Sequence, residues 1–236
     1  MKSIKVLFVS TSHDKIGDTV DKTGVWLEDL AAPYYIFKEA EADIAVASPN
    51  GGQIPLDPKS LAIILATRNT KRFLKDEEAM RFLSNAALLS TLKFDDFDLV
   101  FLTGGHGCLW DLADNKILKQ LLENFYNKGK PIGAVGHGVV GLVSLLNVKK
   151  EPLIKDKQLT GFSNSEEESA GLTGLVPFLV ETKLFSLGAL YSKGANYVSH
   201  VVVDGCIITG QNAASATEVA KSVLTLVRQK QITPTN

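Results

Sequence analysis

Three stretches of this chain carry nearly unbroken apolar runs: Ile4–Thr11, Asp98–Thr103 (DLVFLT) and Pro131–Val135 (PIGAV). A strand with one wet face alternates apolar and polar residues. A continuous run is what a strand needs when helices cover both faces of its sheet. Helix-period segments separate these runs. Gly24–Glu41 places Val25, Leu27, Leu30, Ala31, Tyr34, Tyr35 and Ala40 at helical spacing, and Asp76–Ser90 opens with three acids suited to the first turn of a helix. Asp114–Asn127, Val139–Leu146, Thr173–Ser186 and Ala213–Arg228 continue the alternation. Asp43–Ser48 reads as a further strand closed by the turn sequence PNGG. Val198–Val203 and Cys206–Thr209 flank Asp204-Gly205, a strong hairpin signal. The expected architecture is α/β, with a mostly parallel sheet, helices on both faces and a β-hairpin near the C-terminus.

Bulk properties exclude several classes of function. The 236 residues suit one domain, 1–236, with a substantial core. Net charge is −1, from 25 Lys+Arg against 26 Asp+Glu, and no basic block occurs, so no nucleic-acid partner is expected. The apolar stretch near the N-terminus is too short to span a bilayer, so no membrane association is expected either. Two cysteines, Cys108 and Cys206, form no spacing framework, which fits a reducing compartment and makes cytoplasm the expected location. The segment Gln53–Asn69 mixes Pro, Asp and apolar residues and fits no single period.

In open α/β sheets, sites form at the carboxyl ends of strands. Two glycine-rich turns fall at such ends, Thr103-Gly104-Gly105-His106-Gly107 and Val135-Gly136-His137-Gly138. The second runs from a strand into a helix, the context of a nucleophile elbow, in which the central residue takes a strained backbone conformation and the next N–H points at a developing oxyanion. Glycine-rich strand ends also occur simply as turns, and the two motifs alone name no reaction.

The chain resembles the ThiJ/PfpI superfamily, which shares the class I glutamine amidotransferase-like fold, and within it the branch of heat-shock glyoxalases and holding chaperones. The matching pieces are residues 22–33 (KTGVWLEDLAAP), 104–111 (GGHGCLWD), 134–138 (AVGHG), 160–164 (TGFSN) and 209–212 (TGQN), in the family's order and spread over essentially the whole chain. The resemblance implies a flavodoxin-like three-layer sandwich, commonly a homodimer, with no cofactor and no metal. It also implies a small carbonyl substrate or ligand. Family members place a cysteine at the elbow, a carboxylate from the first helix against the thiol, and a histidine oriented by a further acid. Many convert glyoxal or methylglyoxal to the hydroxy acid without glutathione.

Carried over residue by residue, His137 matches the family histidine and Glu167 its orienting acid. Gly105 and the His137 amide match the oxyanion donors, with Gly104, His106 and Cys108 beside them. The first-helix carboxylate is Asp29, one methylene shorter than glutamate, and its reach to the elbow is a question for the structure. The cysteine position is Gly136, which has no side chain. The implied product is a glyoxalase-type protein with its usual cysteine mechanism disabled. The alternative is a non-enzymatic holding chaperone that takes unfolded clients, or a module binding a small carbonyl or carboxylate compound.

Several residues also have plainer expectations. Cys108 is either a relocated thiol or a small buried residue packed beside Trp110, and the second is preferred. His106 and Cys108 as metal ligands lack a second ligand pair at suitable spacing. Glu166–Glu168 could be a solvated helix start, with only the family match singling out Glu167. Trp26, Tyr34 and Tyr35 are expected in the core or at a dimer contact rather than against a ligand.

Overall fold

The computed structural model describes residues 3–232. In chain order it forms β1 (Lys5–Val9), α1 (Leu27–Glu39), β2 (Asp43–Ser48), α2 (Arg68–Phe73), α3 (Glu77–Ser84), β3 (Ala87–Leu88), β4 (Leu99–Leu102), α4 (Cys108–Asp111) and α5 (Lys116–Asn127). There follow β5 (Ile132–Val135), a 3₁₀-helix (Gly136–Leu142), β6 (Gln158–Leu159), α6 (Asn164–Ser169), α7 (Val180–Ser186), β7 (Leu190–Tyr191), β8 (Val201–Asp204), β9 (Ile207–Gly210) and α8 (Ala216–Ile232).

Seven strands make one sheet in the order β3-β2-β1-β4-β5-β9-β8, parallel throughout except for β8 against β9. The apolar runs are the strands buried on both faces, and their side chains divide between two cores. Leu7, Val9, Val100 and Leu102 face one side with α5 and the 3₁₀-helix. Val6, Phe8, Leu99 and Phe101 face the other, with α1, α3 and α8. This is the flavodoxin-like three-layer sandwich expected from the sequence. The strand order reverses between β1 and β4, so the carboxyl ends of β1, β4 and β5 open onto one crevice.

Local differences from the sequence reading have identifiable causes. Helix α1 starts at Leu27 rather than Gly24 because the preceding backbone is used elsewhere. Val25 N–H donates to Pro55 O at 2.8 Å and Trp26 N–H to Gly104 O at 3.2 Å. Gly24 must be glycine there, since a Cβ would stand 2.1 Å from Pro55 O. Asp76 caps α3, accepting from the Glu78 and Ala79 amides, and the helix stops at Ser84 so that Ala87–Leu88 can pair with β2. The expected helix over Thr173–Ser186 forms only from Val180, after Pro177. The apolar segment after the elbow is a 3₁₀-helix rather than an α-helix over Val139–Leu146. It lies hard against β4, where a Cβ on Gly138 would meet Thr103 O at 2.4 Å. In the hairpin Asp204 pairs with Ile207, so the two-residue loop is Gly205-Cys206, one residue later than expected. Gly205 (φ 58°) takes the left-handed position, and the Asp204 carboxylate accepts from Gln158 N–H at 2.9 Å. The short parallel pair β6–β7 carried no sequence signal.

Candidate active site

A cavity of about 520 Å³ lies over the carboxyl ends of the central strands, and both glycine turns reach it. Strand β5 ends at Val135, and Gly136 follows with φ 56°, the left-handed region where any side chain is strained. Its chain neighbours aside, an ideal Cβ on Gly136 would meet one atom within 4 Å, Asp29 Oδ2 at 3.4 Å. The space in front of Gly136 is therefore open. At the β4 turn, by contrast, a Cβ on Gly105 (φ 114°) would stand 2.2 Å from Gly24 O and 2.5 Å from Trp26 N. Gly105 is fixed by the close approach of two backbones. His137 is the second residue of the 3₁₀-helix, so its N–H has no intrahelical acceptor and is free for a ligand oxygen.

One carboxylate joins the two turns. Helix α6 opens with a capping box in which Ser163 and Glu166 satisfy each other's backbone, and this turns Glu167 inward. His106 Nε2 donates to Glu167 Oε1 and His137 Nε2 to Oε2, both at 2.8 Å, with all three side chains buried. The imidazole rings lie 4.0 Å apart between centroids, and Phe162 packs on His137 at 4.3 Å. Burial alone would raise Glu167, but the two imidazole donors outweigh it and pull its pKa down to about 2. His137 is pushed down to about 4, first by burial and then by the neighbouring His106, against the pull of Glu167. At neutral pH the carboxylate can only accept, so Nε2 of His137 carries the proton and Nδ1 is the basic nitrogen of a neutral ring.

Asp29 is buried on α1, and its Oδ1 has no hydrogen-bond partner among the described residues. Burial, with Glu28 adding like charge, pushes its pKa well above the ordinary carboxylate value. The shorter acid does reach the elbow. The neighbouring Glu28 also lines the cavity, but its carboxylate is engaged. It accepts from Thr67 Oγ1 and from Asn69 Nδ2, tying the start of α2 onto α1. Lys59, Leu65 and Thr67 line the cavity, so the segment whose period could not be read from sequence is one of its walls.

Of the expected site residues, Gly136, His137, Asp29, Gly105 and His106 line the cavity, and Glu167 stands behind the two histidines. Gly104 contributes its carbonyl to Trp26 N–H rather than facing a ligand. Cys108 is the small buried residue preferred from the sequence, and its expected place beside the pocket is corrected. It is fully buried, its Sγ–H points at Thr103 O at 3.3 Å, and it is absent from the cavity wall. Burial first, then the charges of Asp111 and Asp29, raise its pKa well above a normal thiol, so it is no relocated nucleophile. Trp26 is a correction in the other direction, since it lines the cavity, while Tyr34 and Tyr35 sit in the core as expected.

Glu166 is not solvated either. It is buried and accepts from Tyr197 N–H and Asn212 Nδ2, both at 2.7 Å, whereas Glu168 is exposed. Sequence reasoning does not single out Phe162, Tyr197 and Asn212 as site residues, although Phe162 and Asn212 lie inside the matching motif pieces. The ligand atoms of His106, His137 and Glu167 lie within 4.8 Å of one another and form the one such group among the described residues. As they stand they are paired by hydrogen bonds, and Cys108 does not join them.

A doubly wound sandwich with a glycine elbow and two buried histidines sharing one carboxylate beside a largely apolar cavity defines a class of small-molecule site with groups for acid–base chemistry. Residues 20–226 match the DJ-1/PfpI family, and the chain belongs to that family. It is 30% identical to Glyoxalase 3 of Candida albicans over 94% of this chain and 97% of that protein. It is 28% identical to the glutathione-independent glyoxalase HSP31 of Saccharomyces cerevisiae over 92% of this chain and 94% of that protein. Among solved structures it is similar to the Rapid Encystment Protein 24 KDa of Francisella tularensis, at 38% identity, TM-score 0.91 and 95% and 99% coverage of the two chains. The Candida albicans glyoxalase III structure matches with TM-score 0.86 at 30% identity, covering 94% and 96%. No helix among the described residues is long and apolar enough to cross a membrane.

Proposed function

We propose that this chain is a glyoxalase-type protein that binds α-oxoaldehydes in the cavity, with Gly136 at the nucleophile position and therefore no thiol to form a thiohemiacetal. The observation that carries the reading is the pairing of His137 and His106 with one buried carboxylate directly beside Gly136. The acid–base part of the site is assembled, while covalent catalysis has no side chain to use. The resemblance to glutathione-independent glyoxalases supports the substrate class. The test is methylglyoxal consumption by the parent chain and by Gly136→Cys. The variant is expected to gain about 100-fold or more, given the size of effects at catalytic nucleophiles. If neither protein consumes methylglyoxal, or if the substitution leaves the rate unchanged, the reading falls.

A second reading, holding of unfolded clients, is favoured by one observation. Leu61, Ile63, Ile64 and Leu65 form an exposed apolar run beside the cavity wall, with both isoleucines 91% exposed. Suppression of client aggregation at stoichiometric ratio, weakened by Ile63→Ser with Ile64→Ser, is the expected result. The homodimer and the cytoplasmic location belong to the same proposal. Two free cysteines fit a reducing compartment, and sedimentation would check the dimer.

A further inference from the structure

We propose that the open space at Gly136 and the unpartnered Asp29 carboxyl form a subsite for the hydrated head, the gem-diol, of an α-oxoaldehyde or activated ketone carrying an aryl or other bulky apolar group. The inference rests on the α-oxoaldehyde reading above and extends it to the form and size of the molecule bound.

Three observations converge. Apart from the chain neighbours of Gly136, the space in front of it is bounded within 4 Å of a built Cβ by Asp29 Oδ2. Asp29 is a buried, cavity-lining carboxyl that presents Oδ2 to this space, and its Oδ1 has no partner among the described residues. A carboxyl in its acid form offers one donor and one acceptor side by side, and a gem-diol offers the same pair in complementary order. Burial holds Asp29 toward that acid form. The third observation is size. A cavity of about 520 Å³ walled by Trp26, Phe162, Leu65 and Leu172 is far roomier than methylglyoxal, with five non-hydrogen atoms, requires. It falls in the range of roughly 300–1,000 Å³ typical of sites for larger, mostly apolar ligands.

The hydrate also makes the missing thiol dispensable in principle. In R–CO–CH(OH)₂ a base takes the C1 proton, and the electron pair forms a C1–C2 double bond as the ketone oxygen becomes an enolate. A proton returns to C2, and one hydroxyl proton of C1 passes to the former ketone oxygen, which gives R–CH(OH)–COOH with every proton accounted for. The second acid oxygen is the one water added on hydration, so no oxidant or external nucleophile is consumed.

The test is binding of 2,2,2-trifluoroacetophenone, which hydrates in water but has no C1 hydrogen to transfer, followed by ¹⁹F NMR, with unhydrated acetophenone as control. The bound form should be the hydrate, held at least about 10-fold more tightly than acetophenone. Asp29→Leu and Gly136→Ala should each abolish that preference while acetophenone still binds, which shows the cavity intact. If Asp29→Leu fails to fold, Gly136→Ala carries the test, because its Cβ is sterically accommodated. A bound ketone signal, or a preference unaffected by both substitutions, overturns the proposal. If the hydrate binds as expected but Gly136→Cys consumes no methylglyoxal, the α-oxoaldehyde chemistry falls and the subsite stands. If Gly136→Cys is active without any preference for the hydrate, only the subsite falls.

Discussion

The two halves of the site are built to opposite standards. On the α6 side both buried glutamates are answered: Glu167 takes one imidazole on each oxygen, and Glu166 is spent on Ser163, Tyr197 and Asn212. On the α1 side Asp29 is buried with an idle oxygen, facing a residue that has no side chain. A satisfied buried network stabilises its surroundings, whereas an orphaned group costs free energy until something binds. The contrast teaches that the histidine–glutamate half is held by partners within the fold, whereas the Asp29–Gly136 half leaves a buried carboxyl oxygen without one.

The largest test of that contrast is Glu167→Ala. It leaves two buried imidazole N–H groups without an acceptor, at about 1–3 kcal/mol each, so a loss of about 2–6 kcal/mol in urea unfolding is expected. Next is acidification. His137 is held down to about 4 in the folded state against 6.5 when unfolded, so the unfolded chain binds more protons between these values. Its contribution is complete above pH 6.5 and is lost as pH falls toward 4, a drop of roughly 2–4 kcal/mol seen in denaturation at stepped pH. Glu167, held at about 2, extends the loss below pH 4.5, where the unfolded carboxylate protonates first.

Smaller effects are expected on the other side. Gly136→Ala has room for its methyl group and bears only the left-handed backbone strain, about 1–2 kcal/mol by thermal unfolding. Asp29→Asn should stabilise at pH 8. A carboxyl whose folded pKa is raised loses stability as pH climbs above its unfolded value, and the amide removes that ionisation. A Tm rise of roughly 2–4 °C, the shift for about 1 kcal/mol in a domain this size, would confirm that the Asp29 half is strained rather than neutral.

Much of this was legible in the chain. The unbroken runs at Asp98–Thr103 and Pro131–Val135 announced parallel strands because burial on both faces leaves no polar positions, and both turns with their glycines follow directly. Helix ends were less legible, since α1 begins where Val25 and Trp26 stop bonding to distant loops, and no local propensity records those bonds. The motif pieces brought His137, Glu167 and Asp29 to notice. They could not say that His106 shares Glu167, that Cys108 turns into the core, or that Trp26 and Leu65 wall the cavity.

By itself the sequence determined the layered sheet, the glycine at the elbow and the identity of the acids, because periodicity and the absence of a side chain are local properties. Which acid touches what was decided only by the tertiary structure. The direction of a buried carboxyl depends on partners tens of residues away. For Asp29 the structure provides two glycines, Gly104 pressed against Oδ2 and Gly136 with open space before it, and no hydrogen-bond partner for Oδ1 among the described residues.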